Sequence, residues 1–114
     1  MDSELLRIAG IFRNKCKYVL FVEYLPTKVR FHLSGNFLFD VFYRSKNRNY
    51  SFTLVKDSRI IGWDNSPHHP DLPNFPHHFH SEEGDVYPSS LGGNPKKNIF
   101  IVAKEINRFL KKRI

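Results

Sequence analysis

With a single cysteine, Cys16, the chain cannot form an intramolecular disulfide or a multi-cysteine zinc site. That suits a reducing compartment, gives Cys16 the character of a packed thiol, and leaves histidine as the only soft ligand in quantity. Long apolar runs are missing too. The longest, residues 18–22 and 99–103, fall far short of the roughly 20 residues needed to cross a bilayer, and the first residues lack the apolar stretch of a signal peptide. The expectation is a soluble, cytoplasmic protein without a membrane partner. At 114 residues it reads as one domain, 1–114, able to bury a core without metal or disulfide staples and offering one main site.

A third absence is local. No lysine or arginine occurs between Ile60 and Pro95, where Asp64, Asp71, Glu82, Glu83 and Asp85 lie. The rest of the chain holds all 18 basic residues and the other 6 of 11 acidic ones, a surplus of +12 within a net charge of +7. Such a basic body suits a polyanion or an acidic protein as partner, and equally an ordinary solvated cationic surface.

What is present has two periods. Asp2 to Lys15 reads as a helix capped by Asp2 or Ser3, with Leu5, Leu6, Ile8, Ala9 and Phe12 on one face and weakened by Gly10. From Lys17 to Asn65 the period is two: Tyr18 to Tyr24, Val29 to Leu33, Phe37 to Tyr43, Tyr50 to Leu54 and Arg59 to Trp63. Short, turn-rich breaks make these an antiparallel five-stranded meander, and Leu38 and Phe42 suggest that both sheet faces are partly covered. A final helix starts at the Asn94 cap and Pro95. It buries Ile99, Val102, Ala103, Ile106, Phe109 and Leu110 and presents Lys97, Lys104, Arg108 and Lys111 on the opposite side, either a phosphate track or a solvated face. The expected class is therefore α+β, with an N-terminal and a C-terminal helix and a long irregular loop, Asn65 to Asn94. A loop of that length is usually functional.

Within the loop, PHHPDLPNFPHHFH (67–80) concentrates five of the six histidines and four of the seven prolines. Prolines at every third position predict polyproline II geometry. That would sort His68, Asp71, Asn74 and His77 along a solvent edge and His69, Leu72, Phe75 and His78 along an anchoring row. A straight rod would hold His68 and His77 roughly 28 Å apart, so a bend at Asp71 to Asn74 is expected. Three readings of the imidazoles compete. In one, two or three of His68, His69, His77, His78 and His80 act as general acid and base, with Asp64 orienting a ring, as metal-free RNA cleavage through the 2′-hydroxyl requires; this reading needs no cofactor. In another, His78 and His80 bind zinc or another divalent ion with Asp64, His68 or Glu82. In the third the rings only fix the loop by hydrogen bonds. His32, isolated on a strand, reads as structural.

Trp63 to His80, WDNSPHHPDLPNFPHHFH, closely resembles the signature of the TumE-type toxin family of prokaryotic toxin–antitoxin pairs. Its members typically read W/Y-D-N-A-P-H-H, a short spacer, then F-P-H-H-x-H. Ser66 replaces the more usual alanine and Phe79 an often basic residue, while every histidine of the signature is kept. The resemblance is tight over these residues and loose over Phe37 to Tyr87. It implies a growth-inhibiting toxin neutralised by an antitoxin encoded by a neighbouring gene, with Asp64, Asn65, His68, His69, His77, His78 and His80 at the motif positions. A cationic body that holds RNA and a histidine edge that cleaves it is one function compatible with that role. A non-enzymatic module that docks an acidic protein or nucleic acid, with or without a bound metal, is the other. Self-association is compatible with both.

Overall fold

A computed structural model describes residues 1–114. The chain runs α1 (Ser3–Lys15), β1 (Val19–Tyr24), β2 (Val29–Leu33), a 3₁₀ turn (Ser34–Asn36), β3 (Phe37–Arg44), β4 (Asn49–Lys56), β5 (Ser58–Asp64), β6 (His78–His80), β7 (Val86–Pro88) and α2 (Pro95–Lys111). The α+β class and the two terminal helices are as expected. The sheet, however, has seven strands rather than five, all antiparallel and in sequential order. The two additional strands occupy part of the stretch expected to be irregular, each only three residues long.

Asp2 caps α1 by accepting from the amides of Glu4 (2.9 Å) and Leu5 (3.1 Å). The same carboxylate accepts from the Ser45 amide (2.8 Å), the chief reason its pKa lies below the usual range, and so joins α1 to the β3–β4 turn. Leu5, Ile8, Ala9 and Phe12 are buried, but Leu6 faces solvent. The Phe12 ring lies 4.7 Å from that of Phe31 and 4.4 Å from that of Phe39, so α1 lies over β2 and β3. Each buried phenylalanine contributes about 1.5–3 kcal/mol through removal of apolar area from water.

Asn94 caps α2 as expected, accepting from the amides of Lys96 and Lys97 at 3.1 Å each. The buried face is also the expected one, with Phe109 partly covered. Both helices sit on one face of the sheet. That face carries Val29, Phe31, Leu33, Phe37, Phe39, Val41, Tyr43, Tyr50, Phe52, Leu54, Ile61 and Trp63, all buried in a common core with α1 and α2.

The other face has no helix over it. Because side chains alternate along a strand, cross-strand partners continue one row after another across it. One row reads Glu23, Arg30, Asp40, Thr53, Gly62, His80, Val86; the next reads Phe42, Ser51, Asp64, His78, Pro88. Asp40 accepts from Arg30 (2.8 and 3.0 Å) and Lys28 (2.9 Å). Burial raises the Asp40 pKa, but these cations outweigh it and leave the group below its ordinary value. Leu38 and Phe42 are half-buried here, in keeping with partial covering of the second face.

β1 departs from a clean two-residue period. Val19 pairs with Leu33 but Phe21 with His32, so Leu20 is an extra, bulged residue. Leu20, Phe21 and Tyr24 are exposed, and only Val19 and Val22 pack against the core. A second irregularity near the end of β4 leaves Ile60 as the extra residue and places Arg59 opposite Val55.

Candidate functional site

The histidine–proline segment is a succession of turns and not a polyproline II rod. His68 N–H donates to Ser66 O, Leu72 N–H to His69 O, and His77 N–H to Asn74 O. Asn74 takes a left-handed backbone (φ 61°) and donates to the carbonyls of Ser89 and Leu91 (2.6 and 2.7 Å), so the chain bends in the expected region. With turns in place of a rod, the threefold rows dissolve: Phe75, expected to anchor on the core, is 44% exposed. Asn65 pins the start of the segment, accepting from Tyr50 N–H and donating to Arg48 O at 2.9 Å each.

Asp64 ends β5 directly opposite His78 on β6, with His80 on the same face two residues on. Its carboxylate lies 2.9 Å from His78 Nε2 through Oδ1 and 2.9 Å from His80 Nε2 through Oδ2, and Oδ1 also accepts from Ser66 N–H (2.9 Å). His78 is almost wholly buried, at 2% exposure. Its Nδ1–H donates to Pro76 O (2.9 Å), which sets the ring's orientation. Burial holds the His80 pKa below the ordinary histidine value, and Arg59 and His78 act in the same direction, although the Asp64 hydrogen bond and charge oppose them.

His69 closes the group, its ring centroid 4.9 Å from that of His78 and 6.4 Å from that of His80, edge-on to both. Donor atoms of Asp64, His78 and His80 all lie within 4.8 Å of one another, a spacing that one metal ion can bridge. Of the other candidates for such a set, His68 is exposed in a turn and Glu82 pairs with Arg113 on the far side of the strand.

His77 points the other way. Its Nδ1 meets the Tyr50 hydroxyl at 2.9 Å, and the two rings stack at 5.8 Å. Burial, with the adjacent His78, lowers the His77 pKa; burial and the Asp64 charge raise that of Tyr50. The pair borders a small cavity of about 170 Å³ with Arg48, Asn65 and Asn98. Five clustered histidines therefore divide into a trio at Asp64, one imidazole held by Tyr50 and one exposed at His68.

Lys97, Lys104, Arg108 and Lys111 are all exposed on α2, as expected. Yet α2 covers the Ile61–Trp63–Phe79 side of the sheet, so the sheet lies between this stripe and the Asp64 cluster. Arg108 is moreover engaged by Glu105 (2.9 Å), and Lys104 lies 5.4 Å from the Phe100 ring centroid. The cation beside the cluster is instead Arg59, whose Cδ passes 3.7 Å from where a side chain on Gly62 would begin, next to His80 in register. Sequence reasoning missed Arg59 because only the irregularity at Ile60 brings it there. It also missed Tyr50, whose hydroxyl role has no signature in a strand of alternating apolar residues. His32 is held by Glu23 (2.8 Å) and stacked on Phe21.

No helix is long and apolar enough to cross a membrane. Comparison with curated proteins and with solved structures gave no match. The model of the family described as Toxin TumE, by contrast, matches residues 10–110, from the middle of α1 through the Asp64–histidine cluster to the last turn of α2. With the whole sheet, the second half of α1 and nearly all of α2 inside that match, this chain belongs to the TumE toxin family.

Proposed function

We propose that this chain is the growth-inhibiting toxin of a toxin–antitoxin pair and acts on RNA as a small ribonuclease, with the reacting groups at Asp64, His69, His78 and His80. The observation that carries this reading is one carboxylate drawing two imidazoles to 2.9 Å each, with a third ring against both, on the sheet face that the helices leave open. A single carboxylate–histidine pair is an ordinary structural device. Three imidazoles around one carboxylate supply proton donors and acceptors that work near neutral pH, which cleavage through the 2′-hydroxyl needs.

His69, standing over the pair, is the proton carrier in this reading, and His77, fixed by Tyr50, positions the loop. Arg59 gives the RNA backbone a cation beside His80. The choice of RNA rests also on the net charge of +7 and on analogy with other small toxins. The cationic α2 stripe, behind the sheet, suits an acidic antitoxin.

Expression with and without the product of the neighbouring gene tests this. Growth arrest should come with fragmented total RNA, be relieved by the partner, and vanish for Asp64→Asn and His80→Ala. Arrest with intact RNA would overturn the ribonuclease. One feature favours the alternative of a binding module: a groove of about 750 Å³ between α1 and α2, where Arg7, Lys15, Lys96 and Lys97 surround Phe100. Toxicity that survives His80→Ala but not replacement of those four cations by glutamine would select that reading.

A further inference from the structure

We infer that Asp64, His78 and His80 form a binding site for one divalent first-row transition-metal ion, with the open side of the ion facing His69. The inference rests on the proposed function only for what the ion would do there; whether it binds is a separate question.

The first argument is the donor set. Two imidazoles and one carboxylate on one side of a point, with the remaining positions free, is a mixed nitrogen–oxygen set that suits iron(II), manganese(II), cobalt(II) or zinc(II) better than calcium or magnesium, which favour oxygen alone. Here the three come from two neighbouring strands, with Asp64 in register with His78, so the backbone ladder fixes their separation before any ion arrives.

The second is distance. Two donors bound to the same ion at about 2.1 Å and at right angles stand about 3.0 Å apart. The carboxylate oxygens lie 2.9 Å from His78 Nε2 and 2.9 Å from His80 Nε2. All three donors fall within 4.8 Å.

The third is the way His78 is held. Its Nδ1 meets the Pro76 carbonyl at 2.9 Å while Nε2 faces Asp64 Oδ1 at 2.9 Å, so the ring is held with Nε2 toward the point that an ion would occupy. A ligating imidazole oriented through its other nitrogen by a backbone carbonyl is the usual outer arrangement of metal sites. His78 is also 2% exposed, which keeps water from competing at that ligand, whereas the His69 side of the group is less covered. The free positions on that side would take water and a phosphate oxygen.

The test uses the full chain purified without a histidine tag, titrated separately with Mn²⁺, Co²⁺ and Zn²⁺ by calorimetry and thermal melting. One equivalent should bind and raise the melting temperature. Asp64→Asn and His80→Asn should weaken binding more than about 100-fold, beyond the usual cost of losing an outer partner. His68→Ala and Glu82→Gln should leave it unchanged. Absence of binding by all three ions, or undiminished binding in His80→Asn, overturns the site. Should either variant fail to fold, Mn²⁺ added to the unaltered chain should broaden the ring signals of His78 and His80 before that of His32; equal broadening of all three overturns it. Bound ion with uncut RNA would keep the site and remove the ribonuclease. RNA cut at full rate by chelated protein that binds none of the three ions would do the reverse.

Discussion

The two faces of the sheet are built from the same strands by opposite rules. Toward the helices, buried apolar side chains follow one another without interruption from Val29 to Trp63. Toward the open side, the rows carry paired ions and imidazoles: Glu23 with His32, Arg30 and Lys28 with Asp40, and Asp64 with His78 and His80. Burial stabilises the first face irrespective of which atoms meet, so exchange among large apolar residues is tolerated there. On the second face each polar group depends on a named partner, and a single atom's change is felt. Stability and chemistry are thus divided between faces, although both are written into alternate positions of the same segments.

That division can be broken experimentally, beginning with the largest effect. Asp64→Asn or His80→Ala should lower RNA cleavage per folded molecule by about 10²- to 10⁴-fold, as general acid–base groups contribute on that scale, with a loss of stability of only about 1–3 kcal/mol. Single-turnover cleavage beside calorimetry measures both, and a large fall in melting temperature with activity intact per folded molecule would erase the distinction between the faces.

Phe39→Ala, on the other face, should cost about 3–5 kcal/mol in denaturant unfolding. Whatever chain remains folded should cleave normally.

Asp40→Asn probes an open-face residue that has no part in the cluster and should cost about 1–3 kcal/mol. Its sign with pH is fixed. The folded-state pKa lies below the unfolded value of about 3.9, so the unfolded chain binds the proton more readily. The stabilisation is therefore complete above that pH and disappears as pH falls through the folded-state pKa. Unfolding curves of the two proteins should differ at neutral pH and converge in acid.

The smallest effect separates two sets of cations. Arg59→Gln should reduce the logarithmic salt slope of RNA binding by about 0.7–0.9. Replacing Lys97, Lys104, Arg108 and Lys111 by glutamine should leave that slope unchanged and weaken antitoxin capture instead.

Much of the covered face was legible in the sequence, because burial repeats: every 3.6 residues in α2, every two in β2 to β4. It failed where a local detail outweighed the period. The extra residue Leu20 turns β1 partway along, which exposed apolar side chains that alternation would have buried. β6 and β7 were not legible because three residues cannot display a period, and in β6 two of the three are histidines that read as loop chemistry. The location of the candidate site was legible from histidine density, and Asp64 from its neighbourhood. Which rings meet Asp64 was not, since that depends on the register between β5 and β6 and on which side of the strand each ring lies. The proline spacing suggested a rod, but Asn74 and the turn hydrogen bonds around it prevail over that preference.

Strand order has a consequence in time as well as in space. Each strand pairs with the one before and after it in the chain, and most are joined by five residues or fewer, so pairings close locally and quickly. The span between β5 and β6, residues 65–77, is the longest such connection, and its closure carries the greatest entropic cost among the hairpins. Asp64 lies on one side of that span, and His78 and His80 on the other. The first five strands can therefore pair without the cluster, which exists only once that longest span has closed.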